Sequence, residues 1–202
     1  MNMIHLGFLA SGRGSNMQAI INACAGGALR AEPVVVISNN PDAGALIIAK
    51  NKKIPNYHLS SKTHPDPKQL DKTITETLNN YQADLIVLAG YMKQVGPVLL
   101  KEYKNRVINI HPSLLPRHGG KEMYGMNVHR AVIDAGEKET GATVHLVNDK
   151  YDEGLILAQR KIDVATTDTA ESLAERVLEV EHLLYTEVLQ DIVSGKILLP
   201  QS

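Results

Sequence analysis

A single cysteine, Cys24, occurs in 202 residues, so no disulfide can form within the chain and a reducing compartment is expected. Charge of neither sign dominates. The 21 Lys and Arg nearly balance the 22 Asp and Glu, and no basic run builds a nucleic-acid patch. Apolar runs fall short of the ~18 residues a membrane span needs, and no signal-peptide pattern opens the chain. Together these absences predict a cytoplasmic protein that engages neither nucleic acid nor membrane. Metal ligation is not signalled, since cysteine pairs and helical His-x-x-x-His are missing. Repeats, linkers and low-complexity tracts are missing too, which predicts one domain over residues 1–202. Cys24 falls in a helical pattern, where a buried structural thiol is the ordinary reading.

What is present is an ordinary globular balance, 44% hydrophobic and 21% charged, long enough for a substantial core. "MIHLGFLA" (3–10) reads as a strand, and "NMQAIINACAGG" after the turn "SGRGSN" as a helix stopped by Gly26 and Gly27. "PVVVIS" (33–38) and "DLIVLA" (84–89) are continuous apolar runs, as in strands buried on both faces. A helix is predicted from Pro41, a short strand at 56–59, and a helix in "DPKQLDKTITETLNNY", where Leu70, Ile74 and Leu78 share a face. A short helix around 97–103 and a strand at 106–111 follow. The alternation predicts an α/β fold: a mostly parallel twisted sheet with helices on both faces. "GATVHLVN" (141–148) and "LILAQRKIDV" (155–164) predict an antiparallel addition. A long helix over 169–193 follows, with Asp168 and Glu171 at capping-box spacing.

Three places carry candidate chemistry. In "VINIHPSLLP" (107–116), strand alternation sends Asn109 and His111 to one face, with Ile108 and Ile110 on the other. Pro112 lacks an N–H and should end the strand. In the glycine turn, Gly12 and Gly14 precede a helix start at Ser15 and Asn16. Met17 stands where a dinucleotide fingerprint has its third glycine, and no Gly-Lys-Ser/Thr of a P-loop follows. The turn is either a plain connection or, the reading favoured by Ser15-Asn16, a monophosphate site at the helix end. Glu181 falls on the apolar stripe Leu173, Val177, Val180, Leu184, Val188 of the long helix. It either reaches water at a rim or faces a polar ligand such as ribose hydroxyls, because an unpartnered buried carboxylate is costly. Asp149 fits a turn aspartate, and His145 a core histidine with one hydrogen bond. Asp152 is not ranked by pattern alone.

The segments "SGRGSNMQAI", "LAGYMKQV", "NIHPSLLP", "GATVHLVNDKYDEG" and "VEH" follow one another as in glycinamide ribonucleotide formyltransferases. The chain resembles that family over essentially its whole length. The Asn-Ile-His-Pro-Ser block is shared by folate-dependent formyltransferases as a group, and the Gly-x-Gly-Ser-Asn loop narrows the likeness. The resemblance implies a Rossmann-like fold whose N-terminal half binds phosphate and whose C-terminal half binds folate and carries catalysis. By position it implies Asn109, His111 and Asp152 as the catalytic trio, Gly14, Ser15 and Asn16 as the phosphate loop, and Glu181 as a ribose ligand. It implies Tyr91, Met92, Lys93, Gln94 and Val95 as folate-pocket wall. The implied reaction moves the formyl group of 10-formyltetrahydrofolate, a co-substrate, to the amine of glycinamide ribonucleotide in purine synthesis, without metal. Asp152 is expected to keep His111 protonated. A monomer or homodimer is implied.

Three departures from relatives stand out: Glu153 in place of a small residue, the long 117–127 segment, and the absence of an arginine that some relatives place near "DPKQL", where Lys68 is the nearest cation. Rival readings are weaker. A formyltetrahydrofolate hydrolase implies an extra N-terminal domain, and a methionyl-tRNA formyltransferase a further C-terminal one. A non-enzymatic Rossmann-type nucleotide-binding module leaves the trio idle.

Overall fold

The computed structural model describes residues 3–201. Its elements are β1 (Ile4–Ala10), α1 (Ser15–Ala25), β2 (Ala31–Ser38), α2 (Gly44–Asn51), β3 (Asn56–His58), α3 (Pro67–Asn80), β4 (Leu85–Leu88) and α4 (Pro97–Glu102), then β5 (Val107–His111), α5 (Met126–Asp134), β6 (Glu139–Leu146), β7 (Ile156–Asp163) and α6 (Ala170–Val193). The seven strands form one sheet in the order β3-β2-β1-β4-β5-β6-β7. β1 to β5 run parallel, while β6 is antiparallel to β5 and β7 to β6. No helix among the described residues is long and apolar enough to cross a membrane.

Both faces of the sheet are covered, which is why the central strands read as unbroken apolar runs rather than as alternations. Leu6, Phe8 and Ala10 pack with Ile20 of α1 and Tyr185 of α6, whereas Leu9 faces the opposite cluster with Ile37, Leu78 and Tyr103. Gly7 points toward the second cluster, and a Cβ there would come within 2.6 Å of the Leu78 side chain. Its glycine lets α3 approach the sheet. The chain leaves β1 toward β2 on one side and crosses to β4 on the other. The carboxyl ends of β1 and β4 therefore border a crevice, the usual ligand position in open α/β sheets.

Three local expectations need correction. The helix predicted from Pro41 begins at Gly44. There the α2 terminus presses on the glycine turn: a Cβ on Gly44 would lie 2.8 Å from the Arg13 carbonyl oxygen. The capping box of α6 is Thr169 with Ser172, not Asp168 with Glu171. Asp168 is already occupied, accepting from the Ala165 N–H and the Ser172 hydroxyl and pairing with Arg176. Helix α5 lay unanticipated in a glycine-rich stretch whose buried stripe is only Val128, His129 and Val132. Cys24 lies half-buried on α1, and burial pushes its thiol up to about 11, leaving it protonated at neutral pH.

Candidate active site

The crevice opens into a cavity of about 490 Å³ lined by Asn109, His111 and Asp152, by Asn16 and Glu181, and by the 90–95 segment. β5 supplies its floor. Asn109 and His111 share a face as the alternation requires, and both line the cavity. β6 contributes through register: His145 lies directly opposite Asn109, and Thr143 opposite His111. Opposed residues in an antiparallel pair project to the same side. The His145 Nδ1–H donates to the Leu146 carbonyl at 2.8 Å, which leaves Nε2 to accept from the Asn109 amide at 3.2 Å. That bond fixes the Asn109 amide and leaves its second N–H for a ligand. The core-histidine reading of His145 therefore missed its neighbours. Strand register was the signal that could have found them.

Asp152 reaches the same place from the β6–β7 connection. Its φ is +57°, in the left-handed region that aspartate tolerates better than most residues. One oxygen accepts from the Gly120 N–H at 2.9 Å. The carboxylate lies 3.5 Å from His111 Nδ1 and 3.6 Å from His145 Nε2. Burial pushes this carboxyl up, but His145, His111 and the Gly120 N–H pull harder the other way, so it sits below its ordinary value of 3.8. Asp152 is ionised at neutral pH. Gly154 makes the turn possible, because a Cβ there would fall on the Leu146 carbonyl oxygen.

His111 corrects an expectation. Its Nε2 lies 2.8 Å from the His118 carbonyl, which can only accept, so Nε2 carries the proton and Nδ1 faces Asp152 as the titrating atom. At 3% exposure, desolvation lowers the imidazole pKa below 6.5, outweighing Asp152 and the carbonyl that both raise it. In the unliganded site His111 is therefore mostly neutral at neutral pH, not held protonated by Asp152. His129 on α5 also lines the cavity; burial and then His111 push it down to about 4. Its Nδ1 is buried without a partner.

Glu181, which also lines the cavity, is 8% exposed, so the rim reading fails. Its carboxylate accepts from the Asn16 amide at 2.6 Å, and burial raises it to about 7 despite that bond. The Asn16 side-chain oxygen Oδ1 is buried with no partner, an acceptor that needs a donor. One turn beyond Glu181, the Tyr185 hydroxyl is shared between the Leu88 and Ile108 carbonyls, tying α6 to β4 and β5.

Gly14 caps α1 with φ +80°, and a Cβ would lie 2.9 Å from Ala45. The glycine is thus required by packing on α2 as well as by the turn. No side chain caps α1, so its first N–H groups remain available to an anion. Gly14 and Ser15 stand beside the cavity and not among its lining residues, whereas Arg13 and Asn16 line it. Lys68 does not line it; Arg13 is the cation adjacent to the glycine turn.

Tyr91, Met92, Lys93, Gln94 and Val95 all line the cavity and form one of its walls. Its near end is held by Ser11, whose hydroxyl accepts from the Met92 N–H at 2.7 Å. Gln94 donates to the Asp149 carbonyl at 3.1 Å, joining the wall to the loop that carries Asp152. The far end is held from α3. The buried Asp71 carboxylate accepts from the Val98 and Leu99 N–H groups at 2.7 and 3.2 Å, and a Cβ on Gly96 would collide with it. Asp71→Ala is expected to cost ~1–3 kcal/mol in urea unfolding, because it leaves buried donors unmet. Asp71→Asn, which still offers one acceptor oxygen, should recover part of the loss.

In this open α/β sheet an Asn–His pair at a strand end faces a loop aspartate within one cavity, the arrangement that the resemblance to folate-dependent formyltransferases implies. The chain belongs to that family: the model described as "Formyl transferase" matches residues 4–189. A chloroplastic phosphoribosylglycinamide formyltransferase of Vigna unguiculata is 42% identical over 95% of this chain and 62% of its own length. The phosphoribosylglycinamide formyltransferase of Haemophilus influenzae is 37% identical over 98% of this chain and 91% of its own. The crystal structure of glycinamide ribonucleotide transformylase 1 from Symbiobacterium toebii superposes with a TM-score of 0.91 at 36% identity, covering 98% of this chain and 91% of that one. The chain thus spans less than two thirds of the plant relative's length, and most of the bacterial ones.

Proposed function

We propose that the protein transfers the formyl group of 10-formyltetrahydrofolate to the amine of glycinamide ribonucleotide, a step of purine synthesis. One observation carries the reading: a single cavity is lined at once by the Asn109–His111–Asp152 cluster, by Asn16 and Glu181, and by the 91–95 segment. Two substrates can meet over the cluster, the ribonucleotide against Glu181 and the glycine turn, the folate against the wall. The phosphate meets the α1 N-terminus at Gly14, Ser15 and Asn16, beside Arg13. The ribose hydroxyls donate to Glu181 and to the orphaned Asn16 oxygen.

The amine nitrogen attacks the formyl carbon, forming a C–N bond and moving the carbonyl electrons onto oxygen. Asn109 donates an N–H to that oxygen. The nitrogen sheds a proton toward the Asp152–His111 pair, whose facing atoms are one carboxylate oxygen and the neutral Nδ1. Protonation of Nδ1 gives His111 the positive charge that the oxyanion and Asp152 both favour. Collapse breaks the bond to the folate nitrogen, which takes up the proton. His111 thus gains its charge during the reaction, so that the interaction is stronger in the transition state than in the ground state.

The test is a formyl-transfer assay with both substrates, following formylated ribonucleotide and free tetrahydrofolate together. Equal production of the two is expected. Folate release without formylated ribonucleotide would identify water as the acceptor and overturn the reading in favour of a hydrolase. Glycinamide ribonucleotide and folate should each raise the melting temperature, and NAD should not.

A further inference from the structure

We infer that Glu137 is a positioning residue for His111, acting through His118 to hold the carbonyl that determines which imidazole nitrogen carries the proton. The catalytic consequence rests on the reaction proposed above; the effect on His111 itself does not.

His118 has φ +53°, in the left-handed region that is uncommon for residues with a side chain. Contacts on two sides hold this turn. Inward, the His118 carbonyl accepts from His111 Nε2, and the preceding Arg117 carbonyl accepts from the Ser113 hydroxyl at 2.7 Å. Outward, both side chains converge on one carboxylate: Arg117 Nη1 lies 2.8 Å from Glu137 Oε2, and His118 Nε2 lies 3.2 Å from Glu137 Oε1. Glu137 is itself anchored where α5 ends, its N–H donating to the Val132 carbonyl at 3.2 Å. Arg117, His118 and Glu137 do not line the cavity, so a ligand need not touch them.

The pair is partly exposed, at 16% for the His118 side chain and 21% for Glu137, and such pairs contribute little to stability. Their effect is on alignment. With the carbonyl in place, the His111 proton stays on Nε2 and Nδ1 faces Asp152. If the 117–118 backbone swings out, Nε2 loses its acceptor and the ring can change tautomer or rotate. The charged and titratable groups facing His111 are Asp152 from the β6–β7 turn, His145 from β6, His118 from its own loop and His129 from α5. Only the His118 contact depends on Glu137.

The experiment compares wild type with Glu137→Gln, Glu137→Ala and Glu137→Asp in the full chain. Imidazole ¹⁵N spectra of the unliganded proteins read the His111 tautomer and titration directly. In Gln and Ala variants, His111 should become a mixture of tautomers titrating at lower pH than in wild type, since the carbonyl bond supports its protonated form. In the transfer assay kcat should fall about three- to tenfold, with both KM values unchanged and the limb of the pH profile due to His111 shifted in the same direction. Asp should restore most of both effects. A lower melting temperature with unaltered His111 spectra and pH profile would overturn the inference and make the carboxylate a structural brace. A tautomer change in a protein without transfer activity would uphold the positioning role and overturn the proposed reaction instead. If Glu137→Ala fails to fold, Glu137→Gln, of the same size, decides.

Discussion

Asp152→Asn should reduce kcat by ~10²–10⁴-fold, the usual contribution of a general acid–base group, while leaving the dissociation constants of both substrates nearly constant. Asparagine suits this position: it tolerates the left-handed backbone at φ +57°, and its carbonyl oxygen can still accept from the Gly120 N–H. The loop and the cavity should therefore survive. The negative charge beside His111 Nδ1 is lost. His111 already lies below 6.5 because burial prevails, so removing the one strong opposing charge lowers it further. Its protonated form, which holds the amine proton, then becomes harder to reach during the reaction, and no carboxylate remains to stabilise it. Single-turnover formyl transfer beside direct binding of each ligand measures the two effects separately. Near-normal turnover would remove Asp152 from the proposed trio and turn attention to Asp149. A stability effect accompanies it with a definite sign. The Asp152 carboxyl is depressed below 3.8 in the fold, so it stabilises at pH above that value and the contribution disappears as pH falls through the folded pKa. Wild type and Asp152→Asn should thus differ least in stability in strong acid.

Glu181→Gln should weaken glycinamide ribonucleotide binding by ~1.5–3 kcal/mol for each charge-assisted hydrogen bond lost, and at the same time make the free protein more stable at alkaline pH. The two effects share one cause. Burial raises Glu181 from 4.5 to about 7, so the ionised carboxylate is disfavoured in the empty site. Stability is complete below the unfolded value near 4.5, declines as pH rises between the two values, and carries the full penalty above about 7. At 1.36 kcal/mol per pH unit, that penalty is about 3 kcal/mol, an upper figure because the native structure can relax. Glutamine keeps the shape without the charge. Urea unfolding at pH 5 and pH 8 should therefore show little difference at the first and a gain for Glu181→Gln at the second. Substrate titration at pH 8 should show the corresponding loss. A gain in stability with unchanged ribonucleotide affinity would mean that Glu181 does not touch the substrate. Gly14 is a poorer probe of this end of the cavity. Its clash with Ala45 means that a β-branched substitution disturbs α2 along with the phosphate loop, so an effect on binding could not be separated from one on packing.

Features that depend on short-range periodicity were legible in the chain. Alternation within five residues is enough to put Asn109 and His111 on one face, and the apolar runs of β2 and β4 are enough to call for a sheet covered on both sides. Antiparallel addition of β6 and β7 followed from their short connection. Boundaries were less secure, because helix starts depend on which side chain takes the orphan N–H groups. At α6 Thr169 does so, and Asp168 is diverted to Arg176 and the preceding turn.

The sequence by itself determined the order of elements apart from α5, the faces of β5 and the glycine turn at the start of α1. Through its resemblance it also pointed to the residues of the proposed trio. Tertiary structure alone decided what those residues meet. Asn16 and Glu181 are 165 positions apart and bond only because α1 and α6 pack on the same face of the sheet. His145 reaches Asn109 because the β5–β6 register sets them opposite, and a one-residue slip would have turned it away. The charge state of His111 was decided by burial against a carboxylate, a balance of desolvation and distance that exists only once the chain has closed around both groups.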